Sequence, residues 1–166
     1  MTILLTGATG FIGNHLLRAL LQQGHHVIAC CRNPQRLLVK ADALAIDFSA
    51  LNTSDQWLPH LNGIDTVINC VGIIAETKEQ TFAQLHSHAP IALFQAATQM
   101  GVKKIMQISA LGADENAESA YHLSKKAADD VLRSLSVDWF ILQPSIVYGD
   151  GAQSSALFHA LAALPV

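Results

Sequence analysis

Two groups of residues in this chain could do chemistry. In Tyr121-His122-Leu123-Ser124-Lys125 a phenol and an ammonium stand four residues apart, which puts them on one face of a helix. A cation held beside a tyrosine favours the phenolate, so the pair would make the phenol a usable general acid or base. Far upstream, Thr6-Gly7-Ala8-Thr9-Gly10-Phe11-Ile12-Gly13 sets three glycines at GxxGxxG spacing between an apolar run and a segment of helical period. At such a turn the backbone N–H groups and the positive end of the helix dipole face one point, which suits a pyrophosphate. Gly7 permits the tight turn, Gly10 lets phosphates approach the backbone, and Gly13 lets helix pack closely on strand.

These residues need a scaffold, and the rest of the chain supplies its rhythm. Short apolar runs at Ile3–Leu5, Val27–Cys31, Ala43–Ile46, Thr66–Val71, Lys104–Ile108 and Trp139–Leu142 are the strand candidates. Helix candidates lie between them at Ile12–Gln23, Asn33–Val39, Ser54–His60, Glu79–Met100 and Tyr121–Leu135. Gly24 and Gly101 fall where helices must stop before a strand. This βαβα alternation predicts the α/β class: a Rossmann-type, doubly wound parallel sheet of about six strands with helices on both faces.

Composition narrows the function classes. At 166 residues the chain has one domain's length, enough to bury roughly 70% of its unfolded surface. Apolar types make up 51% and charged types 14%, a balance that suits a sheet covered on both faces. The 13 acidic and 10 basic residues leave a formal charge of -3 without any long basic run, which argues against nucleic acid as a partner. Cys30, Cys31 and Cys70 sit in apolar runs without disulfide or zinc spacing, so buried, reduced thiols are expected. His15, His25, His26, His60 and His159 show no metal-site spacing, and no metal is expected. The first apolar run is too short for a signal peptide or membrane span, which predicts a cytoplasmic protein without a transmembrane segment.

Thr6-Gly7-Ala8-Thr9-Gly10-Phe11-Ile12-Gly13 resembles the opening of the short-chain dehydrogenase/reductase superfamily, in the extended and atypical branches that include epimerase/dehydratase enzymes. The resemblance runs through about 150 residues, so residues 1–150 are expected to form the NAD(P)-binding Rossmann domain. Near the end of the second strand an acidic residue would bind the ribose hydroxyls of NAD, but this chain reads Cys30-Cys31-Arg32-Asn33-Pro34. Arg32 offers a guanidinium fork for a 2'-phosphate, which predicts NADP(H) in preference to NAD(H).

The resemblance extends to the remaining site residues. Asp47 and Phe48 match the segment near the adenine, and Cys70, Val71 and Gly72 match the stretch after the fourth strand. Pro144, in Gln143-Pro144-Ser145-Ile146-Val147-Tyr148-Gly149, belongs to the crossover toward a substrate region and is counted with the cofactor-binding residues. The resemblance implies that Ser109 hydrogen-bonds the substrate oxygen, that Tyr121 passes the proton, and that Lys125 also grips the nicotinamide ribose. His86 departs from the family, which usually has Asn there.

The leading expectation is an NADP(H)-dependent oxidoreductase or epimerase/dehydratase-like enzyme acting on a small molecule that the sequence does not specify. The rival is a non-catalytic dinucleotide-binding module, similar to the nucleotide-binding accessory subunit of respiratory complex I, or a redox sensor. Residues 151–166 are expected to begin a substrate-binding region of which the greater part is missing. The apolar stretch from Ala156 to Val166, uncovered, predicts self-association into a homo-oligomer.

Overall fold

The computed structural model describes residues 1–149, so the expectations placed on residues 151–166, His159 included, lie outside the described residues. In chain order the elements are β1 (Thr2–Thr6), α1 (Phe11–Gln22), β2 (His26–Cys31), β3 (Asp42–Ala45), α2 (Ser54–Trp57), β4 (Thr66–Asn69), a π-helical turn (Ala83–His88), α3 (Ala89–Gln99), β5 (Lys104–Ile108), α4 (Ala120–Ser134) and β6 (Asp138–Leu142). The six strands form one sheet in the order β3-β2-β1-β4-β5-β6, and every neighbouring pair is parallel. The sheet is the doubly wound one the alternation predicts.

Alternation along β1 divides the core between the two faces. Ile3 and Leu5 join Val27, Ala29 and Ile68 beneath Leu17 of α1. Leu4 points the other way, into a cluster with Val67, Ile105, Trp57, Leu93, Phe94, Ala128 and Leu132, contributed in part by α2, α3 and α4. Trp57 and Phe94 are fully buried, each contributing roughly 1.5–3 kcal/mol or more of hydrophobic stabilisation. The Trp57 indole N–H also finds a partner, donating to the Leu51 carbonyl at 3.2 Å. Among the described residues β6 closes one edge of the sheet, where Phe140 and Leu142 remain substantially exposed opposite Met106 and Ile108.

Two predicted helices take other forms. Asn33–Val39 holds only a single 3-10 turn, Pro34–Arg36, which Asn33 caps by accepting the Gln35 N–H and which ends where Leu37 takes up extended backbone at ψ 130°. The segment Glu79–Met100 starts its helical course only at Phe82, after a separate turn in which the Thr77 N–H donates to the Gln80 carbonyl at 2.9 Å and Thr77 Oγ1 accepts from the Glu79 and Gln80 amides. The fourth strand, expected to run to Val71, also stops short: β4 ends at Asn69, whose side chain accepts the Val71 N–H. No helix among the described residues is long and apolar enough to cross a membrane.

Candidate functional site

Strand β1 lies between β2 and β4, so the chain leaves it at the point where the winding of the sheet reverses, the place where open α/β sheets bind ligands. The glycine turn stands there. Gly7 has a φ of +71°, and a side chain on it would come within 2.8 Å of the Cys70 backbone. A side chain on Gly13 would strike the Gly7 carbonyl. Gly10 is different: it is exposed, and beyond its own neighbours only the Gly7 oxygen lies within 4 Å of where a Cβ would be. It is the N-cap of α1, with no side-chain cap and no acidic residue in the first turn. The N–H groups there are open to an anion with no carboxylate to repel it, so the residues present fit a dinucleotide pyrophosphate.

Behind the turn, a buried polar ladder crosses the three central strands at their carboxyl ends. Thr6 Oγ1 donates to Asn69 Oδ1 at 2.6 Å, and Asn69 Nδ2 donates to Gln107 Oε1 at 2.7 Å. Thr6, Asn69 and Gln107 are strand neighbours in register and have no solvent exposure. Asn69 Oδ1 also accepts the Val71 N–H, which sets the course of the Cys70-Val71-Gly72 segment past Gly7. Burial pushes the Cys70 thiol up to about 12, leaving it a neutral packing group. Cys30 is pushed up to about 12 for the same reason, and all three cysteines are free thiols.

Helix α4 brings the second group to this segment. Ser119 caps it by accepting the His122 N–H, and Tyr121 and Lys125 follow on one face. Lys125 is only 4% exposed; its Nζ donates to the Ile108 carbonyl at 3.1 Å and approaches the Val71 carbonyl at 3.5 Å. Residue 72 leaves room for it by being glycine, since a Cβ there would lie 3.0 Å from Nζ. Burial holds the Lys125 ammonium down at about 8, against the opposing pull of Asp129. Burial also raises the Tyr121 phenol above the ordinary tyrosine value. The Tyr121 ring meets Phe82 and His86 edge-on, with centroids 5.6 and 5.4 Å away.

Glycine turn, Cys70–Gly72 segment, Tyr121 and Lys125 thus share the carboxyl end of the sheet. Arg32 stands exposed just beyond β2, beside the strand that feeds the turn. Asp47 is exposed and accepts from the Ser49 amide and hydroxyl, capping the short turn that follows β3. Phe48 is buried against Trp57, so its side chain belongs to the core. Pro144 is half-buried and its carbonyl accepts the Leu111 N–H. Ser109 is 4% exposed, with its hydroxyl donating to Asp129 at 2.5 Å inside the β5–α4 packing. The hydroxyl expected to meet a substrate is therefore engaged within the protein.

Sequence reasoning passed over Gln107 and Asp129 and gave Asn69 no role of its own. Asp129, four residues after Lys125, had a spacing signal for the same helix face. Gln107 had none beyond a polar residue inside an apolar strand.

Residues 7–159 match the family model described as NAD(P)H-binding. The chain belongs to this family. Ceramide reductase of Caulobacter vibrioides is 30% identical, over 99% of this chain and 52% of its own. NADH dehydrogenase [ubiquinone] 1 alpha subcomplex subunit 9 of Mus musculus, a mitochondrial protein, is 28% identical over 86% of this chain and 40% of its own. Among solved structures, a putative NAD-dependent epimerase/dehydratase from Bacillus halodurans superposes with a TM-score of 0.77 at 23% identity, covering 92% of this chain and 74% of that one. The chain spans about half the length of the curated relatives it matches.

Proposed function

We propose that this chain is the NADP(H)-binding half of a reductase or epimerase/dehydratase-like enzyme, with Tyr121 as its general acid/base. The carrying observation is Lys125: a buried ammonium whose hydrogen-bond partners are backbone carbonyls, on the face it shares with a half-buried phenol. Gly7, Gly10 and Gly13, with Thr6, Thr9, Phe11 and Ile12 around them, would hold the pyrophosphate, and Arg32 a 2'-phosphate. Asp47 and the Phe48 backbone would border the adenine, and Cys70, Val71, Gly72 and Pro144 the nicotinamide half. A bound nicotinamide dinucleotide supplies hydride chemistry at a carbon that bears oxygen. Burial keeps the Tyr121 phenol protonated, so that Tyr121, on the helix face it shares with Lys125, holds or gives up the proton at its phenolic oxygen. Ser109 can reach a substrate oxygen only by leaving Asp129.

The ceramide reductase relative favours reduction of a carbonyl, with the rest of the longer protein selecting the substrate. NADPH oxidation by the full-length protein across a carbonyl panel tests this. Tyr121→Phe should lower turnover about 10²–10⁴-fold, the usual contribution of a positioned acid/base. Native turnover without the phenol would refute the role given to Tyr121.

The engaged Ser109 hydroxyl favours a second reading, a binding module of the kind the complex I relatives bring to mind. Tight NADPH binding with no turnover on any carbonyl offered would establish that reading in place of the first.

A further inference from the structure

The helical course before α3 opens with a π turn, Ala83–His88, and inside it His86 is completely buried. Such turns are rare and collect at functional sites. Both ring nitrogens of His86 have partners. The Ile73 N–H donates to Nε2 at 3.0 Å, so Nε2 carries no proton and Nδ1 does. Nδ1 lies 3.0 Å from Ser124 Oγ and donates to it, and that hydroxyl in turn donates to the Tyr121 carbonyl at 2.7 Å. Next to His86 in the same turn, Ser87 Oγ donates to the Ser124 carbonyl at 2.9 Å. Phe82 stacks on the imidazole at 5.2 Å and meets the Tyr121 ring edge-on.

We propose that His86 is a positioning residue for Tyr121 and Lys125, a clip that ties the first turn of α4 to the backbone at Ile73. The inference rests on the reading of Tyr121 as acid/base. A proton relay must take up and release a proton, and His86 is built against that. Protonating Nε2 would break the Ile73 bond, and the imidazolium would sit in a fully buried place facing the Lys125 ammonium. Burial, with that charge second, holds the imidazole down at about 3. Its contribution is therefore geometric. One end fixes the Val71-Gly72-Ile73 segment over Lys125, where a Cβ at Gly72 would lie 3.5 Å from Nε2; the other fixes the backbone that carries the phenol.

The chain has two tyrosines, Tyr121 and Tyr148, so Cζ-labelled tyrosine gives two NMR signals, and Tyr148→Phe assigns them. In the native chain Tyr121 should ionise above the ordinary value of about 10. His86→Phe keeps a ring against Phe82 but removes both hydrogen bonds, and should let the Tyr121 midpoint fall toward about 10. His86→Gln, whose amide can accept at one end and donate at the other, should keep most of the native midpoint. A folded His86→Phe variant with the native midpoint overturns the proposal. Should His86→Phe fail to fold, Ser124→Ala removes the same link from the half-buried side; an unchanged midpoint there is equally fatal. Imidazole nitrogen shifts supply an independent reading: the proton stays on Nδ1 without titration from pH 5 to 9, and a proton on Nε2 refutes the clip. Absence of NADPH turnover would sink the enzyme reading while leaving these signals unmoved, so the two failures are separable.

Discussion

A side-chain carbon at residue 13 would lie 2.2 Å from the carbonyl oxygen of Gly7, far inside van der Waals contact. The start of α1 and the turn before it thus approach as closely as two backbones can. This contact aims the first-turn N–H groups of α1 at one point above the sheet.

Gly13→Ala must push helix from strand, and should destabilise the chain by about 1–3 kcal/mol, as overpacking does. Gly10→Ala faces only the Gly7 oxygen at 3.2 Å and should leave stability close to native while weakening NADPH binding. Thermal unfolding with and without NADPH separates the two; equal loss of stability in both variants would contradict the division of labour between these glycines.

Arg32 is exposed at the end of β2, with no carboxylate at the position where a ribose-binding acid would stand. Arg32→Ala should weaken NADPH binding by about 1.5–3 kcal/mol, the size of a charge-assisted hydrogen bond, and spare NADH. Titrations of both cofactors decide it, and equal losses would remove the 2'-phosphate assignment.

Ser109 and Asp129 are bonded out of solvent. Ser109→Ala removes the hydroxyl that donates to Asp129 Oδ2, leaving the buried carboxylate with Gln143 as its remaining side-chain donor. A loss of about 1–3 kcal/mol in urea unfolding is expected. Native stability combined with lost turnover would instead place the hydroxyl on the substrate.

Lys125 gives a pH dependence of uncommon sign. Its folded value, about 8, lies below the 10.5 of a free lysine, so between these the unfolded chain binds more protons than the native one. Stability from this group is therefore lowest below pH 8 and rises from there toward 10. Comparing native with Lys125→Met by chemical unfolding cancels the thiols and Tyr121, whose raised values act in the opposite direction. A native-minus-variant difference that is flat or falling over pH 8–10 would contradict the buried ammonium.

Much of this protein is legible along the chain because it depends on neighbours in sequence. Strand period, the glycine turn at Gly7–Gly13 and the four-residue offset of Tyr121 and Lys125 are all local, set by sterics and helix geometry. They carried the α/β class, the sheet and the tight glycine turn between β1 and α1. Asn33–Val39 and the start of the segment at Glu79 depart from that local pattern, because the turn capped by Asn33 ends at the extended Leu37 and Thr77 closes a separate turn with Gln80 ahead of the helix.

What only the tertiary structure decided joins residues far apart. Thr6 meets Asn69 across 63 positions, Asn69 meets Gln107 across 38, and Ser109 meets Asp129 across 20. Whether Ser109 faces a substrate or a carboxylate, and whether His86 relays a proton or clips two backbones, turns on which partner removes each group from water. Residue type and spacing leave that open, because desolvation and hydrogen-bond satisfaction are properties of the packed interior.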